Sequence, residues 1–137
     1  MSNLMSMIRS DAFLRRILVL DGAVSLVSGL AMLLGAPVLA GLTAIDPAVL
    51  RGAGAILLPF AAFVLWTATR STVPVWAVWT IIGINVLWTI ESFVSLATGW
   101  LAPNALGTAV VVVQAVAVAV LAELEMMAVR RPAQRVA

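Results

Sequence analysis

The chain has 137 residues, 64% of them hydrophobic and only 10% charged, with a net charge of +2, against about 25% charged residues in ordinary soluble domains. A water-soluble fold of this length cannot hide that much apolar surface, and so small a charge gives no electrostatic basis for binding nucleic acid. Cysteine, histidine and tyrosine are absent, which removes disulfides, thiolate and imidazole metal ligands and the usual neutral-pH proton carrier; no metal or other cofactor is expected.

After a polar start, residues 1–11, an apolar run extends from about Phe13 to Leu34 and stops at Gly35 and Pro37. About 20 apolar residues cross the roughly 30 Å hydrocarbon core as a helix, so this is the first span. Arg15 and Arg16 before it and Val38-Leu39-Ala40 after it also suit a signal peptide, but the run exceeds the roughly 7–15 apolar residues of such signals. Asp21, Ser25, Ser28 and Met32 fall within an arc of about 60° on this helix, a polar stripe expected to face other helices. Ser25 and Gly29, four apart, make a small-residue face suited to close helix packing.

Asp46 and Pro47 open the second span, as cap and first-turn proline, and it continues to Thr69. Pro59 inside it is expected to kink the helix. The connection Arg70–Pro74 is very short, so the third span, about 75–97, is expected to run antiparallel to the second and pack against it. Gly99, Trp100, Pro103 and Asn104 form the next break, and a Val/Ala-rich fourth span covers about 105–129. The expectation is one all-α transmembrane domain over residues 1–137, an antiparallel four-helix bundle with spans at about 13–34, 47–69, 75–97 and 105–129.

Arginine placement orients the bundle. Arg9, Arg15 and Arg16 precede the first span, Arg70 lies between the second and third, and Arg130, Arg131 and Arg135 follow the fourth, while the other two connections have none. The positive-inside rule puts both termini and the middle connection in the cytoplasm. Trp76 and Trp100 flank the third span as interfacial anchors, with Trp66 near the cytoplasmic end of the second.

Polar groups within the spans carry the functional information, since a charge near mid-membrane costs at least ~2.5 kcal/mol on insertion scales. Asp21 lies towards the cytoplasmic side and is a poor partner for Arg51, whereas Arg51 and Glu91 fall at similar depths near the opposite side. Arg51 and Glu91 are expected to form an ion pair, as an interhelical staple or as an ion or substrate gate. Asp21 reads either as a protonatable coupling site or as an intramembrane cap. Asn85, Trp88, Glu91, Ser92 and Ser95 occupy a sector of about 120° on the third helix, and Asn85 is expected to hydrogen-bond to Gln114 of the fourth. Glu123 and Glu125, close in sequence to Arg130 and Arg131, read as an interfacial charge cluster.

No nucleotide-binding glycine loop, HExxH or GxSxG pattern occurs, so no catalytic residues are assigned and no enzyme activity is expected. The stretches LRGAGAILLPFAAFVLWTATR, 50–70, and VWAVWTIIGINVLWTIESF, 75–93, resemble segments of small four-helix bacterial inner-membrane proteins. That resemblance implies the bacterial cytoplasmic membrane but carries no catalytic motif. The chain is similar in size to small multidrug-resistance transporters and to DoxX-like proteins, but it does not reproduce the first-helix glutamate motif of the former around Asp21, nor the motifs of the latter. Two functions follow from these features. The first is a non-enzymatic interaction partner or accessory subunit, embedded in the lipid bilayer as a homo-oligomer or with another membrane protein. The second is a small proton- or cation-coupled transporter acting as an oligomer, with Asp21 or Glu91 coupling and Arg51 compensating charge. Transport predicts a water-accessible cavity joining at least one membrane side to Asp21 or Glu91, whereas an accessory subunit predicts a sealed bundle with an exposed small-residue groove.

Overall fold

The computed structural model describes residues 8, 9 and 11–131, with side chains from residue 11 onwards; Arg135 and most of the polar start lie outside the described residues. In chain order the elements are β1 (Ile8–Arg9), α1 (Ala12–Leu34), α2 (Ala36–Thr43), α3 (Pro47–Thr69), β2 (Val73–Pro74), α4 (Val75–Thr98) and α5 (Ala105–Arg130). The four helices α1, α3, α4 and α5 are each long and apolar enough to cross a membrane, and the expected spans match them closely. Two elements were not anticipated from the sequence. One is the short helix α2; the other is a two-stranded antiparallel ribbon pairing Ile8 with Pro74 and Arg9 with Val73.

Local chemistry explains the helix boundaries. The Asp11 carboxylate accepts from the Phe13 amide at 2.9 Å and caps α1. Asp46 does the same for α3 through Ala48 N at 2.8 Å, with Pro47 in the first turn. α4 ends at Gly99, whose φ of 78° is the left-handed conformation that glycine adopts without a Cβ clash. Asn104 caps α5 through Gly107 N at 2.8 Å, and its amide group donates to Leu42 O at 2.9 Å, tying α5 to the end of α2. At Gly107 a Cβ would collide with the Thr43 carbonyl, so only glycine permits that approach. The α3 helix continues through Pro59 to Thr69.

Packing divides the bundle into two pairs. α1 lies along α3 and α4 along α5, whereas α3 and α4 meet only sparsely. The expected packing of the third span against the second is therefore corrected: α3 takes α1 as its close partner. The reason lies in the small residues. A Cβ on Gly54 would stand 2.7 Å from Gly29 O, and one on Gly22 would stand 2.6 Å from Leu65 side-chain atoms, so the α1 and α3 backbones approach closely at glycines. In lipid, where burial against tails offers little driving force, such backbone contact holds helices together.

The two pairs meet through an apolar cluster at each end. Leu14, Leu18, Val64, Ala68, Val78, Ile81, Ala128 and Val129 form the first, and Ala36, Ile45, Leu50 and Val111, joined by Leu96 and Leu101, form the second. Arg15, Arg70, Arg130 and Arg131 gather at the first end, whereas Arg51 lies towards the other. Arg15 donates to the carbonyl oxygens of Ala68, Arg70 (2.6 Å) and Ser71 (3.2 Å), closing the C-terminus of α3, where a cation also suits the helix dipole. Arg70 lies over Trp66, Arg130 over Trp79 and Arg131 over Phe13, with guanidinium carbons 5.4, 5.8 and 5.0 Å from the ring centroids. The sequence-predicted clustering of arginines at one end is thus present in three dimensions.

Candidate functional site

The polar stripe on α1 faces inward as expected. Asp21 and Ser25 are buried, because their arc coincides with the face that Gly22 and Gly29 press against α3. One α-helical turn separates Asp21 from Ser25, and the Ser25 hydroxyl reaches Asp21 Oδ1 at 3.4 Å, a long contact.

Asn85 of α4 is buried opposite. Its Nδ2 donates to Asp21 Oδ2 at 2.8 Å and to Glu125 Oε1 at 3.0 Å. One amide group thereby joins three helices, α1, α4 and α5, using both of its protons. Glu125 is fully buried and its Oε2 has no hydrogen-bond partner. Two carboxylates converge on a single donor in a water-poor interior, an arrangement that membrane proteins hold at functional sites more often than for packing alone.

Two expectations are corrected here. Asn85 does not bond to Gln114: Gln114 Oε1 accepts from Trp88 Nε1 at 2.8 Å, and its Nε2 donates to Ser92 Oγ at 3.1 Å and Val111 O at 3.0 Å. The two carboxylates, being charge-capable acceptors, take the Asn85 protons instead. Glu125 is not part of an interfacial cluster, although Glu123 is exposed. Eleven residues, close to three full turns, separate Gln114 from Glu125, so the two share one face of α5; proximity in sequence to Arg130 obscured that relation.

Arg51 and Glu91 depart from expectation more sharply. Both are exposed on the outside of the bundle, and no ion pair joins them. Arg51 follows Leu50 by one residue, and Leu50 points into the core, so a 100° step turns Arg51 outward. Glu91 sits at the edge of its sector, while Asn85, Trp88 and Ser92 occupy its inward part.

A cavity of about 280 Å³ lies among the four spans between the two apolar clusters. Its polar lining comes from Ser25, Ser28, Asn85, Trp88 and Gln114, and its apolar wall includes Met32, Phe60 and Leu121. Asp21 lies one turn beyond Ser25, and Glu125 one turn beyond Leu121, so the carboxylates stand just behind the lining at the arginine-rich end. The volume is near the lower limit of the roughly 300–1,000 Å³ seen in small-molecule pockets. Among the described residues no cluster of three or more acidic, histidine or cysteine side chains could hold a metal ion. No protein-family model, curated protein or solved structure matches the chain.

Proposed function

We propose that this protein is a small, non-enzymatic membrane transporter that couples movement of a small amphipathic molecule to uptake of a proton or monovalent cation by Asp21 and Glu125. The observation that supports this reading is the cavity whose lining residues Asn85 and Ser25 contact a buried carboxylate. Two carboxylates held near one amide in a low-dielectric interior repel each other, and a cation or proton taken up beside them relieves that repulsion. Release of that charge alters the hydrogen bonds of Asn85, which belongs to the cavity wall, so occupancy of the cavity and occupancy of the carboxylates are linked. Glu125 takes the coupling role considered for Glu91 in the sequence. An accessory subunit needs no such cavity. The arginine-rich end is taken as cytoplasmic in a bacterial inner membrane.

The test uses full-length protein in lipid vesicles containing a trapped pH-sensitive dye. A panel of small organic amines and neutral amphiphiles is added outside under an imposed pH gradient. The expected result is a dye response to at least one compound, lost in Asp21→Asn and Glu125→Gln. Ala117→Phe, which fills the cavity without touching either carboxylate, should block the same response. If every compound leaves wild-type and protein-free vesicles alike, the transport reading is wrong.

A further inference from the structure

Two outward-facing charges within the spans, Arg51 and Glu91, have no counterpart among the described residues. Neither takes part in an ion pair or hydrogen bond with another described residue, and both sit on apolar, exposed helix faces. Around Glu91 that face carries Leu87, Ile90 and Val94, all exposed. A carboxylate left facing lipid tails is unfavourable, and membrane proteins place such groups against an opposite charge.

Depth matches as well. Arg51 lies roughly 6 Å from the start of α3 and Glu91 roughly 10 Å from the end of α4, taking about 1.5 Å per residue. Those two helix ends lie on the same side of the bundle, away from the arginine-rich end. An Arg side chain is long enough to cover the remaining difference.

We infer that two copies of this chain pair side by side in the membrane, with Arg51 of each copy bound to Glu91 of the other. A two-fold axis along the membrane normal keeps every residue at its own depth, so one such axis forms both ion pairs at once. The α3 surface beside Arg51 is suited to close approach. Ala48, Gly52, Ala55, Pro59 and Ala62 recur every three or four residues along it, all exposed, and a Cβ added to Gly52 would meet nothing within 4 Å. Small residues at this spacing let a second helix come near enough for the charges to pair. The pairing is independent of what the cavity carries.

Charge reversal tests this between copies rather than within one. Full-length protein is reconstituted in lipid vesicles at low density, and subunits are counted by single-molecule photobleaching. Wild type should be dimeric. Arg51→Glu alone places two carboxylates opposite each other at both contacts, and Glu91→Arg alone places two guanidinium groups there; each should dimerise about tenfold more weakly or worse. Mixed together, the two variants form complementary contacts at both positions, so heterodimers should reappear at wild-type strength. Pairing within one chain predicts no rescue on mixing, and that outcome, or a monomeric wild type, would overturn the proposal. Should either variant fail to insert, Gly52→Cys and Val94→Cys, which keep both charges, provide the second measurement. The chain has no native cysteine, so a disulfide between these variants reports proximity of α3 to the neighbouring copy's α4; its absence under oxidation also overturns the proposal.

Discussion

Asn85 joins three helices through one side-chain nitrogen, since its Nδ2 serves Asp21 and Glu125 together. Asn85→Leu leaves two buried carboxylates without that donor, and removal of one partner from a buried polar contact costs about 1–3 kcal/mol, more where the stranded group is charged. Trp88→Phe removes only the neutral bond to Gln114, which also bonds Ser92 and Val111; about 0.6–1.7 kcal/mol is expected there. Reversible unfolding in bicelles should rank Asn85→Leu as the more damaging change, and the opposite ranking would remove Asn85 from its central place. The sequence exposed Asp21, Asn85, Trp88 and Gln114 as inward polar groups because helical periodicity reveals which side chains share a face. It did not reveal which of them would bond, because periodicity within one helix says nothing about the rotation of its neighbour. Glu125 was missed for another reason: its charged neighbours in sequence suggested an interface, although its helical phase matched Gln114.

Helix boundaries were readable because their signals are local: Asp46-Pro47 at the start of α3, Gly99 after α4 and Asn104 before α5 act on adjacent backbone groups. Which helices pair closely depends on contacts distant in sequence, and there chain adjacency misled. Gly29 indicated a close-packing face on α1, but its partner Gly54 could be recognised only once the helices were set side by side. Gly54→Ala should lower the unfolding temperature, because the new methyl meets the Gly29 carbonyl and the Leu33 amide rather than flexible side-chain ends. Gly83→Ala serves as the control. Nothing lies within 4 Å of its added Cβ, so the helix gains up to about 1 kcal/mol of propensity without a clash. Thermal unfolding of the two variants in the same detergent checks both signs. The ribbon of β1 and β2 had no recognisable pattern, since two-residue strands are too short to show alternation.

For the molecule as a whole, both the helix order and the gathering of Arg15, Arg70, Arg130 and Arg131 at one end agree with an even number of crossings. Labelling in intact cells can read the orientation directly, given the absence of native cysteine. Ser71→Cys and Arg131→Cys should resist a membrane-impermeant maleimide added outside, and Trp100→Cys, at a strongly exposed position, should react. Labelling of Ser71→Cys and Arg131→Cys from outside, with Trp100→Cys protected, would invert the assignment.

The division of the bundle follows the chain itself: α1, α2 and α3 make one half, α4 and α5 the other, and a single link of a few residues joins them near Arg70. Across the cavity between these halves, Asp21 belongs to the first and Asn85 and Glu125 to the second. The hydrogen bond from Asn85 to Asp21 is therefore a clasp between two leaves of a locket, set beside the cavity and between the apolar clusters that join the leaves at either end. On the transport reading proposed above, a guest that competes for Asn85, or that changes the charge of Asp21, weakens this polar contact from within while the apolar clusters at either end still hold the leaves together.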